Sequence, residues 1–448
     1  MNIYFPLEIQ ARELNARVSF SIEAAINGND AYIGQKNSIF PVIKYLKPGI
    51  FFHKSVQLKR LHTINELKKL GHFNAAIDEE GVLILDEECY FGYRLSEKVL
   101  EELDIFFSWG ENQSQLITKK YPQYRDLILN AGNPRIDILK KSDNYKREIE
   151  ILKKKHGEFI LFISKFPRTS GLNKLSKNSS YAETYKTNHL PNMSDEVYQK
   201  LINHEEWERK NKLLFMEAIE ECSKKFKNKK IIIRPHPAED ANFWECFINN
   251  LESDNLEIQK STNSIVPWIL AANKIVSYNC TTSLESAILG KKSINYSPIK
   301  SEFDYDVVLK SSHTSRDLND LISKLSQNLD NDINDQEISH YIHNWMNNSF
   351  FENIQEHIEK RINSKTAFSR KNLHMNPITL FIAKLIFKIK VNYSLFLGSG
   401  KNRRIYFKQK FKGFNINVIN NIVKDYGARD LVTVKEAWPG VYLFRRKN

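Results

Sequence analysis

Three adjacent carboxylates, Asp78, Glu79 and Glu80, interrupt the apolar stretch AAIDEEGVLIL and are closed by Gly81. A solvated turn accounts for many acidic triplets. Such a turn has no need of glycine in its fourth place, whereas a loop that passes close to a ligand does. Alternation along the backbone lets Asp78 and Glu80 point one way while Glu79 points the other. Crowding among like charges raises a carboxyl pKa toward the working range, so one of the three suits a general base or a nucleophile.

A second constellation is RPHPAE, at the end of the run KKIIIRPHP. It reads either as a strand terminator with Arg234 on the surface or as a binding loop. Pro235 and Pro237 restrict the conformations of His236, which suits an imidazole that meets a phosphate. Glu239 is placed to accept from ribose hydroxyls or a base edge. In NCTTSLESAILG, one of Thr281, Thr282 and Ser283 is expected to cap a helix. Three hydroxyls exceed what capping needs, and hydroxyls beside a helix N-terminus suit a phosphate. Glu285 lies in the first turn, where the helix dipole alone favours an acid. Ser164 and Lys165 follow the run FILFI; Lys165 reads equally as a phosphate partner or as a solvated lysine. Glu8 and Arg12 form an i,i+4 pair on one helix face, with Glu13 beside them.

The elements that would position these groups alternate along the chain. The segment EIQARELNARVSFSIEAAINGN has helical spacing of Ile9, Leu14, Val18 and Ile22 and ends at Gly28. AYIG, GIFFHKS, NAAID and DIFFSWG read as strands, with HTINELKKLG a helix among them. After the charged helix NYKREIEILKKKHG a second series begins: EFILFIS, a polar stretch from Lys165 to about Asn203, a helix from Glu205 to Lys227, then KKIIIRPHP, NKIVSYN, a helix and KKSINYS. Short apolar strands alternating with helices predict parallel sheets covered on both faces, and such sheets bind ligands at the carboxyl ends of their strands. Four candidate places lie where apolar runs stop: DEEG after NAAI, Ser164-Lys165 after FILFI, RPHPAE after KIII and NCTTSLE after KIVS.

The chain has 448 residues, 41% apolar and 27% charged, which predicts a globular protein of two units plus an appendage. Its four cysteines, Cys89, Cys222, Cys246 and Cys280, lack zinc-ligand or disulfide-framework spacing and suit a reducing cytoplasm. The N-terminus lacks a basic region followed by an apolar one, so no secretory signal is expected. The apolar run ITLFIAKLIF is interrupted by Lys384 and is too short to span a bilayer. Residues 365–448 carry 18 of the 66 Lys/Arg but only 3 of the 53 Asp/Glu, so the net charge of +13 lies wholly in this tail. A nearly neutral body with a basic tail argues against a nucleic-acid enzyme.

In order along the chain, DEEG at 78–81, His236-Pro237 and the hydroxyls at 281–283 resemble the motifs of bacterial sialyltransferases and related CMP-sugar transferases of GT-B fold. PLEIQARELNAR, PGIFFHKS, GHFNAAIDEEG, FSWG, GNPRID and IIIRPHPAED resemble bacterial surface carbohydrate biosynthesis proteins, some of which transfer Kdo or other nonulosonic acids. The resemblance spans residues 3 to 300. It implies two doubly wound Rossmann-like domains facing a cleft: residues 1–150 on the acceptor side, 151–335 on the donor side, closing helices at 336–364 and a basic extension at 365–448.

The resemblance further implies catalysis at the acidic motif, read strictly as Glu79-Glu80-Gly81 with Asp78 as an extra acid. CMP contacts fall on His236 and Pro237, with Arg234 and Glu239 beside them, and phosphate contacts on Thr282 and Ser283. Thr281, Glu285, Ser164 and Lys165 complete the donor candidates; Glu8, Arg12, Lys54 and Arg135 are the acceptor-side candidates. The implied activity moves a nonulosonic acid of Kdo, sialic, pseudaminic or legionaminic type from a CMP donor to a capsule, O-antigen or lipopolysaccharide acceptor. No cofactor or metal is expected, there being no convincing DxD-type motif. Its rivals are a CDP-glycerol or CDP-ribitol phosphotransferase of the teichoic acid type and a non-catalytic glycan assembly protein. Lysines spaced i,i+4 among apolar residues near Lys384 and Lys388 suit an anionic inner-membrane surface. The expected location is therefore cytoplasmic and peripheral at the inner membrane.

Overall fold

The computed structural model describes residues 1–84, 86–170, 179–251, 253–260, 264–331, 334–364 and 413–447, together with positions 381 and 385. Among these, the strands in chain order are β1 (Asn2–Leu7), β2 (Asp30–Gln35), β3 (Ile50–His53), β4 (Phe73–Ile77), β5 (Ile105–Ser108), β6 (Ile128–Asn130), β7 (Phe159–Ile163), β8 (Lys230–Arg234), β9 (Leu256–Ile258), β10 (Lys274–Ser277), β11 (Ile294–Tyr296), β12 (His313–Ser315), β13 (Val432–Trp438) and β14 (Val441–Arg446). They form two sheets in two compact units. One unit comprises Met1–Ile84, Tyr90–Lys141 and Ser339–Asn448; the other comprises Leu85–Cys89 and Ser142–Ile338.

The first sheet runs β13-β14-β2-β1-β3-β4-β5-β6. Strands β1 to β6 are parallel, and β14 joins β2 antiparallel, so the sheet order reverses between β1 and β3. The strand NIYFPL escapes a pattern reading because of its proline. β1 pairs with β3 only at Ile3 and Tyr4, so Pro6 lies beyond that ladder.

The helix Gln10–Ile26 lies on this sheet and is buried nearly all round. Leu14, Val18 and Ile22 belong to a core shared with the strands. Chain from far away completes this core: the helices Phe350–Ser364 and Ile416–Asp425 add Phe350, Phe351, Ile354, Ile419 and Val423 to it. Here the structure departs from the expected basic extension. Residues 413–447 are a helix and a hairpin integral to the first unit, while the most basic part of the tail, 365–412, lies outside the described residues apart from positions 381 and 385. The hairpin demands a glycine in β2, since a Cβ on Gly34 would stand 2.5 Å from the Gly440 carbonyl oxygen.

The second sheet is wholly parallel, β9-β8-β7-β10-β11-β12, and reverses between β7 and β10. Its central strands β7 and β8 are continuous apolar runs, as strands buried on both faces must be. The covering helix starts at Asp195 rather than Glu205, because Ser194 caps it by accepting from the Val197 N–H at 3.2 Å. The polar stretch before it also holds a helix, Tyr181–Asn188, opened by a capping box of Ser180 and Glu183.

Candidate functional site

Both reversals of strand order place candidate side chains at carboxyl ends, where doubly wound sheets bind ligands. In the first unit, Glu8 and Lys54 are the residues immediately past β1 and β3, and Asp78 is the one past β4. Lys54 Nζ lies 2.6 Å from Glu13 Oε1 and 3.5 Å from Glu8 Oε2, and the Glu8 N–H donates to Glu13 Oε2 at 2.8 Å. Burial alone would raise the Glu13 carboxyl, but Lys54, Arg17 and Arg12 together hold it below the usual carboxylate range. Arg12 lies 3.9 Å from Glu13 and 3.8 Å from Glu80, linking the helix to the acidic motif.

The acidic motif divides as the alternation predicts. Arg94 pairs with both Asp78 and Glu80, while Glu79 turns the other way to pair with Arg17. Arg17 is fully buried, with its guanidinium 3.5 Å from the centre of the Phe5 ring, and Glu79 Oε2 and Arg17 Nη1 are buried without a hydrogen-bond partner among the described residues. Glu80, at 54% side-chain exposure, is the solvated member. Burial pushes the Asp78 carboxyl up, against the pull of Arg94 and with the push of Glu80. Trp109, just past β5, donates from Nε1 to the Asp78 carbonyl oxygen at 2.6 Å, and Arg135 lies 5.9 Å over the Trp109 ring. Packing requires Gly81: a Cβ there would stand 2.1 Å from the Gln113 amide, which is buried between the Trp109 N–H and the Tyr90 hydroxyl.

In the second unit the candidate residues converge, but several spend their polar groups on one another. Ser164 donates to both Glu239 oxygens at 3.1 and 3.0 Å, Trp244 Nε1 donates at 3.0 Å, and the His236 N–H at 3.1 Å. Through these bonds the Glu239 carboxylate holds the RPHP loop against the end of β7. Burial raises its pKa to about 7 against these hydrogen bonds. The His236 Nδ1 accepts from the Ala238 N–H at 3.1 Å, so the neutral ring carries its proton on Nε2. Pro237 beside it is partly exposed. Arg234 is buried, donates to the Ser264 carbonyl at 3.3 Å, lies 5.4 Å over Trp268 and is pushed down to about 10 by burial.

The hydroxyl run departs from expectation in a similar way. Thr281 stands at the helix N-cap position without a side-chain cap bond. Ser283 is buried and bonds Ser277 at 2.8 Å and Ser293 at 3.0 Å, and Thr282 Oγ1 lies 3.4 Å from Cys280 Sγ. Of the three, Thr281 is partly exposed, as is Glu285 one turn on. Asn279, at a left-handed φ of 41°, shapes the turn, accepting from the Tyr305 N–H and donating to the Phe303 carbonyl. Lys165 reaches from the end of β7 to the Asn279 carbonyl at 2.8 Å, bridging the reversal point, with its ammonium 4.5 Å over the Tyr305 ring.

Sequence reasoning missed the cations that compensate the acidic motif. Arg17 left one usable signal, a charge beside Val18 on a helix whose apolar stripe runs through Leu14, Val18 and Ile22. Arg94 ends a π-helical turn, Tyr90–Arg94, that no spacing announces, although such turns are frequent at functional sites. It also missed Glu208, which accepts from the Arg168 and Thr169 backbone N–H groups and pairs with the Arg168 guanidinium at 3.0 Å.

No protein-family model matches the chain. No curated protein matches it either. Solved structures do. The UDP-GlcNAc 2-epimerase of Methanocaldococcus jannaschii is 13% identical with a TM-score of 0.51, over 80% of this chain and 99% of that one. A putative UDP-N-acetylglucosamine 2-epimerase of Listeria monocytogenes is 10% identical with a TM-score of 0.51, over 83% and 98%. The chain thus has an α/β fold of GT-B type, built of two Rossmann-like units. It also aligns over 72% of its length with 56% of a chain in the accessory secretory protein 1, 2 and 3 structure of Streptococcus pneumoniae, at 12% identity; that TM-score of 0.38 carries no argument. Among the described residues, no helix is long and apolar enough to cross a membrane.

Proposed function

We propose that the chain is a glycosyltransferase of surface polysaccharide biosynthesis that moves a nonulosonic acid from a CMP donor to a glycan acceptor. The observation that carries this reading is the pair of strand-end constellations, one in each unit. The first combines a buried Asp78, its carboxyl raised, with the partly exposed cations Arg12 and Arg94. The second holds His236, whose Nδ1 accepts from the Ala238 N–H, on a loop fixed by Glu239. The resemblance of the acidic and His-Pro motifs supplies the choice of CMP and of a 2-keto sugar acid.

In this reading the bond from the anomeric carbon to the phosphate oxygen breaks and the electron pair leaves with CMP. His236 Nε2–H and the hydroxyl of Thr281 hydrogen-bond the departing phosphate. Asp78 takes the proton of the acceptor hydroxyl as that oxygen bonds to the anomeric carbon. Glu79 and Glu80 set the charge around it, and no cofactor or metal enters the scheme. An acceptor on a lipid carrier fits the basic stretch 365–412, whose lysines and arginines suit peripheral attachment to an anionic membrane.

UDP is the competing nucleotide, because two structures similar in fold are named for UDP-GlcNAc. The test is CMP release from CMP-activated nonulosonic acids in the presence of acceptor glycan. Wild-type turnover that Asp78→Asn and His236→Ala abolish, with circular dichroism unchanged, supports the reading. Full turnover in both variants refutes the site, and epimerisation of UDP-GlcNAc without any CMP release refutes the function.

A further inference from the structure

The carboxyl edge of the first sheet gathers a second group of charges beside the acidic motif. Lys36 immediately follows β2, Lys54 follows β3, and Lys59 and Arg60 lie in the single turn Leu58–Arg60 that leads into the helix Leu61–Lys69. β2, β1 and β3 are neighbours in the sheet, so the two strand ends are separated by roughly 10 Å, two inter-strand spacings. Four cations therefore start from one short edge.

Their compensation is incomplete. Glu13 is engaged by Lys54 and also faces Arg12 and Arg17, and Lys54 takes up Glu8 as well. Among the described residues, neither the Lys36 ammonium nor the Arg60 guanidinium has a hydrogen-bond or ion-pair partner. Lys36 is half-buried. Burial first, then the like charges of Arg60, Lys54 and Lys59, push its pKa down to about 8, with Glu8 opposing. Arg60 acts in the same sense on the buried His53 imidazole, after burial itself. Lys59 is exposed, 3.4 Å from the Tyr93 hydroxyl. Holding like charges together in a partly dry place is unfavourable until an anion joins them.

We propose that Lys36, Lys54, Lys59 and Arg60 form an anion site that holds the negatively charged group of the acceptor, a phosphate ester or a sugar carboxylate. This rests on reading the first unit as the acceptor side. Arg12, one turn into the helix that follows β1, would bring the far end of such an acceptor toward the acidic motif.

The test is calorimetric titration of the full chain at low ionic strength with inorganic phosphate, glycerol 3-phosphate and N-acetylneuraminic acid. Saturable binding of a phosphate probe or of the sugar acid is expected, and which one binds names the anion. Affinity should weaken at least about tenfold in the Lys36→Gln/Arg60→Gln double variant, a loss of about 1.4 kcal/mol. An anion beside Lys36 restores its ammonium, so just above pH 8 binding should take up a proton, read from two buffers of different ionisation enthalpy; Lys36→Gln should abolish that uptake. Equal affinity in wild type and double variant overturns the proposal, as does proton uptake that survives Lys36→Gln. A wild-type chain that binds the anion as described but does not bind CMP leaves this site standing and removes the donor reading.

Discussion

The two sheets bury polar groups at their carboxyl ends by different means. In the first unit the carboxylates are many and each has a cation: Glu13 has Lys54, Glu79 has Arg17, and Asp78 shares Arg94 with Glu80. In the second, Glu239 is held by a hydroxyl, an indole and a backbone N–H, and Ser277, Ser283 and Ser293 form a neutral hydroxyl cluster. In the first unit, charge is compensated by charge. A neutral network instead fixes the backbone and leaves His236 and Thr281 at its margin. The contrast suits the proposed division, in which the first unit would supply the base and the second would present the donor, although the second unit has a buried charge pair too, Glu208 with Arg168.

The largest effect should follow from breaking the buried pair of the first unit. Arg17→Met leaves Glu79 buried without its cation and should cost about 3–5 kcal/mol in urea unfolding; adding Glu79→Leu should recover much of the loss. A single-variant cost below about 1 kcal/mol would mean that the pair is not buried as described.

Next comes the division of labour within the motif. Asp78→Asn should lower CMP release by about 10²–10⁴-fold, the usual weight of a general base, while the exposed Glu80→Gln should lower it by less than about tenfold. The reverse ranking in a steady-state assay would move the base to Glu80.

Two buried carboxyls, Glu239 and Glu13, should also answer pH with opposite signs. Glu239 has its folded pKa raised to about 7, above the ordinary carboxylate value of about 4. Between these values the folded chain holds a proton that the unfolded chain releases. Its contribution is thus greatest in acid, falls as pH rises toward about 7, and then levels. Glu13 has its folded pKa lowered, chiefly by Lys54 against burial. Its contribution is present above the ordinary value and is lost as pH falls below it. Urea midpoints measured across pH should lose part of their downward slope between about 4 and 7 in Glu239→Gln. An unchanged slope would show Glu239 to be ordinary.

Smaller effects separate the three hydroxyls. Ser283→Ala leaves Ser277 and Ser293 short of a partner and should cost about 1–3 kcal/mol. Thr281→Ala removes no cap bond and should fall within about 0.5 kcal/mol. A Thr281 cost in the range of a lost cap, about 1 kcal/mol, would restore the capping role that the sequence suggested.

Much of this architecture was legible before the structure. Continuous apolar runs such as FILFI and IIIR can only be strands covered on both faces, and the candidate groups do stand where those runs stop. What escaped was non-local. β14 joins β2 across nearly the whole chain, and the burial of the helix Gln10–Ile26 nearly all round makes sense only once the C-terminal helices return to share its core. The site was legible by residue type but not by partnership. DEEG was visible as acids, yet Arg17 and Arg94 come from a helix interior and a π-helical turn. The burial of Glu239 and Ser283, and the bonds they make to Ser164 and to Ser277 and Ser293, leave no mark on the motifs themselves.

The central claim is a cytidine nucleotide held by the second unit, and a thermal-shift panel of CMP, CDP, UDP and GDP on the full chain tests it most directly. The account predicts that CMP stabilises the chain, by about 2.7 kcal/mol at a hundredfold excess over its Kd, with UDP and GDP leaving the midpoint unmoved. A shift with UDP or GDP that exceeds the shift with CMP would contradict it.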